Sequence, residues 1–191
     1  MKRIVIFASG SGSNAENIVK FFQNTELASV TLVLTNNPFA KVLDRCKKLN
    51  VSALSFNKTA FVKTSHVLDL LKTTKPDLIV LAGFLWKFPE FILKEFPDKV
   101  INIHPALLPK YGGKGMYGMH VHKAVVAHKE KETGITIHYV NEHYDEGAII
   151  FQAKCDVYSQ DTAEDVAAKI HDLEMTHFPE VILKLLQATS I

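Results

Sequence analysis

Three observations predict an α/β fold on a doubly wound, mostly parallel sheet. They are a series of short apolar runs, helical patterns between those runs, and a change of pattern in the last third of the chain. The runs IVIFA (4–8), VTLVL (30–34), LIVLAG (78–83) and VINI (100–103) are rich in Val, Ile and Leu without polar alternation. Strands buried on both faces of a parallel sheet have that composition. Strand, helix, strand in series then argues for double winding.

The first run enters a glycine loop, Gly10-Ser11-Gly12-Ser13, and a helical pattern over 14–23 follows. Ser13 and Glu16 have the spacing of a capping box. After the second run, Asn37-Pro38 reads as an N-cap and a first-turn proline, opening a helix to about Leu49. A third helix is predicted over about 60–73, and FPEFILKEF (88–96) makes a short fourth. Beyond the fourth run, ITIHYV (135–140) alternates apolar and polar residues, as a half-exposed antiparallel strand does. A turn at Asp145-Glu146-Gly147 leads to its hairpin partner, AIIFQAK (148–154). Asp161-Thr162-Ala163-Glu164 has capping-box spacing and opens a helix over about 162–187, which Pro179 should kink or interrupt. The whole reads as a Rossmann-like doubly wound sheet with an antiparallel C-terminal hairpin and a long C-terminal helix. No repeat, linker or low-complexity segment divides it, so one domain is expected over 1–191.

Composition narrows the class. The 191 residues carry 22 basic and 20 acidic side chains, spread evenly for a net charge of +2, so nucleic acid is not an expected partner. Cys46 and Cys155 form no CxxC pair, which suits a reducing compartment. The five-residue apolar run near the N-terminus is short for a signal peptide, and no stretch approaches the ~20 apolar residues of a membrane span. A cytoplasmic protein without membrane partners is expected, either a monomer or a homodimer.

Gly10 to Ala15 fits the loose form of the dinucleotide fingerprint, with Ala15 in the last glycine slot. A nicotinamide dinucleotide site also wants an acidic residue ~20 positions on, at the end of the second strand. Here that strand ends Thr35-Asn36-Asn37. Nicotinamide is therefore disfavoured, whereas a monophosphate needs only backbone N–H groups at a helix start. The alternative is a helix start capped by Ser13 and Glu16 with no ligand.

VINIHPALLPKYG (100–112) places Asn102 and His104 two apart at a strand end, hence on one face. The crevice beyond strand carboxyl ends is where open α/β sheets bind ligands. Asn supplies an oxyanion donor, and His moves protons near neutral pH. A satisfied core histidine beside a turn asparagine is the competing reading. Asp145, in the hairpin turn, is the third candidate: beside His104 it would stabilise the imidazolium and raise its pKa. Asp-Glu-Gly is equally a good turn sequence. A metal at His120-x-His122 with His104 or His138 is disfavoured, because no Cys–His framework or HExxH accompanies them. The glycine-rich stretch 112–118 reads as a flexible loop near the site, and Phe84, Leu85, Trp86 and Phe88 follow a strand end, where a planar ligand or ordinary packing would use them.

Taken together and in order, SGSGSN, LAGFLWKF, NIHPALLPKY, GITIHYV and DEGAIIFQ closely resemble the folate-dependent formyltransferases, in the branch that formylates phosphoribosylglycinamide. The resemblance runs nearly end to end. It implies formyl transfer from 10-formyltetrahydrofolate, as co-substrate and without a metal, by a catalytic trio of Asn102, His104 and Asp145. It implies a mononucleotide-binding half over 1–100 and a catalytic, folate-binding half over 101–191. By the same resemblance Gly12, Ser13, Asn14 and Glu174 bind the ribonucleotide. Lys63, Leu85, Trp86, Lys87, Phe88, Asn102, Asn141 and Glu142 then contact the folate. Three features depart from the family pattern: Trp86-Lys87 stands for Arg and an apolar residue, Ala106 for Ser, and 112–118 is lengthened. A deformylase, a methionyl-tRNA or sugar-nucleotide formyltransferase and a non-catalytic folate- or nucleotide-binding module are the alternatives.

Overall fold

The computed structural model describes residues 1–188. Seven strands form one sheet in the order β3-β2-β1-β4-β5-β6-β7. β1 (Lys2–Phe7) lies inside the sheet, pairing in parallel with β2 (Ala28–Thr35) on one side and β4 (Leu78–Leu81) on the other. The chain order reverses at this point, so the loops leaving β1 and β4 border one crevice. Parallel pairing continues to β3 (Ala53–Ser55) at one edge and to β5 (Val100–His104). β6 (Glu132–Tyr139) and β7 (Ile149–Asp156) then add antiparallel strands.

Alternation along β1 sorts the core. Ile4, Ile6 and Ala8 face one apolar cluster, built against α1 (Ser13–Gln23), α2 (Val42–Lys48), α6 (Met119–Ala127) and α7 (Ala163–Ala188). Val5 and Phe7 face a second, built against α3 (Lys58–Val62), α4 (His66–Thr74) and α5 (Glu90–Glu95). The winding is thus double. Phe7 is fully buried with Phe61 and Phe88 around its ring, and each such side chain contributes about 1.5–3 kcal/mol over exposure.

Several local expectations are corrected. β6 is buried on both faces from Thr133 to His138, and the half-exposed strand is its edge partner β7. The single helix over 60–73 is two: Asn57 caps α3 by accepting the Ala60 N–H at 2.9 Å, and α4 starts afresh after Ser65. Asn37 caps no helix; it accepts the Phe39 N–H in a local turn, and α2 starts five residues later at Val42. The capping box of α7 is displaced by one residue. The Thr162 hydroxyl accepts the Asp165 N–H and the Asp165 carboxylate accepts the Thr162 N–H, while Asp161 binds the Tyr158 N–H and Lys169.

Pro179 does not interrupt α7. A proline lacks the N–H that would reach the carbonyl four residues back, here Met175. That carbonyl instead accepts Asn17 Nδ2 of α1 at 2.7 Å. The orphaned acceptor therefore becomes a tie between the first and last helices. Among the described residues, no helix is long and apolar enough to cross a membrane.

Candidate active site

The glycine loop after β1 lines a cavity of about 720 Å³ at the switch point. Gly12 is the N-cap of α1 at φ 75°, and no side chain caps the helix. The expected Ser13–Glu16 box is absent: the Ser13 hydroxyl lies against Ser11, and Glu16 pairs with Lys20 and Arg45. The first N–H groups of α1 therefore have no side-chain cap. Gly12 is required twice over, by its left-handed φ and because a Cβ there would sit 2.4 Å from Val42 Cγ2.

Across the cavity, Asn14 Nδ2 donates to Glu174 Oε2 at 2.8 Å, and Asn14 Oδ1 is buried without a partner among the described residues. Burial pushes the Glu174 carboxyl up from its usual range, partly offset by Asn14 and by His171. Its side chain is 16% exposed, so it is no solvated surface glutamate.

The end of β5 supplies the opposite wall, where Asn102 and His104 both line the cavity. His104 Nε2 lies 2.7 Å from the Tyr111 carbonyl. A carbonyl only accepts, so the hydrogen sits on Nε2 and leaves Nδ1 facing Asp145 Oδ2 at 3.5 Å. Asp145 stands at φ 57° and also accepts the Gly113 N–H at 2.9 Å, which joins the hairpin turn to loop 112–118. The spacing of 104 and 145 in sequence thus closes in space. Burial alone would raise the Asp145 carboxyl, but His138, His104 and Gly113 together hold it below its ordinary value. For His104 the carboxylate acts in the expected direction, raising the pKa, but it is outweighed. Desolvation dominates and depresses the value, so the imidazole is neutral at pH 7.

Two further side chains at this site entered the sequence reading only as disfavoured metal ligands. Register sets His138 of β6 opposite Asn102. Its Nδ1–H donates to the Tyr139 carbonyl at 2.8 Å, so Nε2 accepts Asn102 Nδ2 at 3.1 Å, with Asp145 Oδ1 3.6 Å away. His122 of α6 also lines the cavity, with a buried Nδ1 that lacks a partner among the described residues and a pKa lowered by burial. Strand register and an unrecognised helix hid them.

A second cavity of about 630 Å³ adjoins the first, sharing Leu85 and Tyr144. Trp86, Lys87 and Phe88 line it, but Trp86 packs on Phe56 and Phe61, and Phe88 is 3% exposed. Those rings serve the core. Lys63 ends α3 and lies outside the lining of both cavities, where Lys58 and Val62 of the same helix stand instead. Asn141 and Glu142 also fall outside: Asn141 Oδ1 accepts the His143 N–H, and Glu142 faces the His143 ring. Among the described residues, no group of three or more His, Cys, Asp or Glu is arranged to hold a metal.

A family model described as formyl transferase matches residues 2–182. The chain is 36% identical over 193 residues to the phosphoribosylglycinamide formyltransferase of Bacillus subtilis, covering 97% of this chain and 95% of that protein. It is 36% identical to the chloroplastic phosphoribosylglycinamide formyltransferase of Vigna unguiculata over 95% of this chain, and it spans 60% of that relative's length. The chloroplastic relative from Arabidopsis thaliana is spanned to 64%. Among solved structures, glycinamide ribonucleotide transformylase 1 from Symbiobacterium toebii superposes with a TM-score of 0.89 at 30% identity, over 98% of this chain and 89% of that one.

Proposed function

The chain belongs to the formyl transferase family, and from that premise we propose that it transfers the formyl group of 10-formyltetrahydrofolate to the amine of 5′-phosphoribosylglycinamide in purine biosynthesis. The observation that carries this reading is that Asn102, His104 and Asp145 all line the first cavity, with His104 and Asp145 3.5 Å apart. The uncapped start of α1 takes the 5′-phosphate on backbone N–H groups of Gly12, Ser13 and Asn14, and Glu174 faces the ribose hydroxyls. The folate lies along 85–88, where Leu85 and Lys87 are exposed in the cleft and Phe88 is buried beneath it. Residues 1–191 act as one formyltransferase domain.

In the transfer, the amine nitrogen forms a bond to the formyl carbon, and the bond from that carbon to N10 of the folate breaks. Charge develops on the formyl oxygen in between. One N–H of Asn102 is used by His138, and the other is free to donate to this oxyanion. His104 enters neutral, accepts the amine proton at Nδ1, and as an imidazolium faces both the oxyanion and Asp145. The same proton finally goes to N10, so the cycle ends with tetrahydrofolate and a neutral His104.

The test is to mix the protein with 10-formyltetrahydrofolate and phosphoribosylglycinamide and follow release of tetrahydrofolate. Release that requires the ribonucleotide is expected. Release without it indicates a deformylase, and none in either case overturns the enzyme reading.

A further inference from the structure

We propose that Tyr111 is a positioning residue for the transfer: a clasp of its ring and hydroxyl by His128 and Glu130 holds the backbone carbonyl that fixes the orientation and tautomer of His104. The inference rests on the reading of His104 as the proton acceptor. It concerns residues outside the trio.

Tyr111 adopts φ 58°, in the left-handed region, although two glycines follow it directly. For a residue with a Cβ that conformation is strained. The strained peptide is the one whose carbonyl meets His104 Nε2 at 2.7 Å. Strain persists only where the surroundings over-determine it, and here they do. The Tyr111 ring stacks on His128, with centroids 5.7 Å apart and planes 27° off parallel. Its hydroxyl lies 2.9 Å from Glu130 Oε1 and 2.9 Å from His128 Nδ1. The single hydroxyl hydrogen goes to the carboxylate, so His128 donates its Nδ1 hydrogen to the hydroxyl oxygen. Lys110 Nζ holds both oxygens of Glu130, at 2.9 and 3.2 Å. Burial and Glu130 push the Tyr111 phenol up to about 12, which keeps it a donor throughout the working pH range.

The placement of these groups gives the clasp its purpose. Tyr111 begins, and His128 with Glu130 ends, the segment formed by loop 112–118 and α6 that walls the first cavity. Neither His128 nor Glu130 lines that cavity. The clasp therefore closes the base of the segment and holds the Tyr111 carbonyl on the catalytic imidazole independently of the glycine-rich loop that follows it. Without it, the Tyr111 carbonyl relaxes away from Nε2. The neutral ring can then carry its hydrogen on Nδ1, bonded to Asp145, where it cannot accept the amine proton.

The test uses the full chain and two conservative variants, Tyr111→Phe and Glu130→Gln. Ring-nitrogen NMR of the free protein, with the His104 signals assigned by comparison with His104→Asn, reads the tautomer directly. The expected wild-type form has its hydrogen on Nε2, and Tyr111→Phe shows a mixture. In turnover, Tyr111→Phe is expected to lose about tenfold in kcat with KM for both substrates within about twofold. The acid limb of kcat should move to lower pH, because the lost carbonyl bond favoured the protonated ring. Glu130→Gln should show the same changes in smaller degree, and it serves alone if Tyr111→Phe fails to fold. An unchanged tautomer and acid limb overturn the proposal, even if Tm falls. Wild-type protein without formyl transfer overturns the functional reading instead, and the NMR measurement still decides the clasp.

Discussion

The two halves of the sheet build one cavity from different materials. From β1 to β4, the contribution is mostly main chain: a left-handed glycine, an uncapped helix start and the peptide groups after β4, with the Asn14 side chain the exception. From β5 onward it is side chain, and the buried polar residues follow that division. Thr35 is buried in the first half, whereas His104, His122, Thr133, Thr136 and His138 are buried in the second. Backbone donors come with turn geometry and require no buried polar side chain. Buried imidazoles require partners, because a polar group left unsatisfied costs about 1–3 kcal/mol. The first half should therefore fail through geometry and the second through chemistry.

The largest effect should come from the second half. His104→Asn is expected to lower kcat about 100-fold or more while leaving the affinity for the ribonucleotide within about twofold. Steady-state kinetics with calorimetric binding of phosphoribosylglycinamide separates the two, and an active variant would remove His104 from the mechanism. Gly12→Ala is the matching break in the first half. Its Cβ meets Val42 at 2.4 Å and strains a φ of 75°, so stability should fall by about 1–3 kcal/mol. Ribonucleotide affinity should fall about tenfold or more as the first turn of α1 shifts. If affinity is retained while stability falls, the phosphate is not held there.

This division also governs what could be read from sequence. The buried strands were legible because a strand covered on both faces needs an unbroken Val, Ile and Leu run, as IVIFA and LIVLAG have. β3 was not, since Ala53, Leu54 and Ser55 are too few and too exposed to leave a pattern. α6 was missed because MHVHKAVVA starts at a glycine and presents two histidines in its first turn. Gly12 was legible as a backbone requirement, and Asn102 with His104 as a pair on one strand face. His138 was not, because its role follows from register across β5 and β6. Tyr111 works through its carbonyl, which every residue has, so its side chain announces nothing. Asn14 and Glu174 stand 160 residues apart, and only the family resemblance joined them beforehand.

A third prediction tests a bond that crosses the halves. Asn17 on α1 satisfies the Met175 carbonyl that Pro179 leaves open on α7. Asn17→Ala should destabilise by about 1–2 kcal/mol in urea unfolding, with no change in kcat. In a Pro179→Ala background the carbonyl regains its helical partner, so the same substitution should cost less. Equal losses in both backgrounds would show that Asn17 matters for packing alone.

The smallest expected effect is a pH dependence in which the two sides of the cavity oppose each other. His104 and His122 have pKa values depressed by burial below 6.5, so the unfolded chain binds more protons than the fold once pH drops below that value. Their contribution is complete above pH 6.5 and is lost on acidification. Glu174 runs the other way. Its folded pKa is raised above 4.5 by burial, so the fold holds a proton that the unfolded chain has released. Its contribution is complete below pH 4.5 and is lost as pH rises through the folded value. Asp145, held below 3.8, contributes a loss only in stronger acid. Between pH 6.5 and 4.5 the wild-type stability should therefore fall only gently. Glu174→Gln keeps an acceptor for Asn14 but removes the opposing titration, so its stability should fall more steeply across that window. His104→Asn should flatten the curve instead. Urea unfolding at five pH values between 4.5 and 6.5 measures all three slopes. If Glu174→Gln is no steeper than wild type, the buried carboxyl is already charged throughout, and water reaches that side of the cavity as freely as it reaches a surface glutamate.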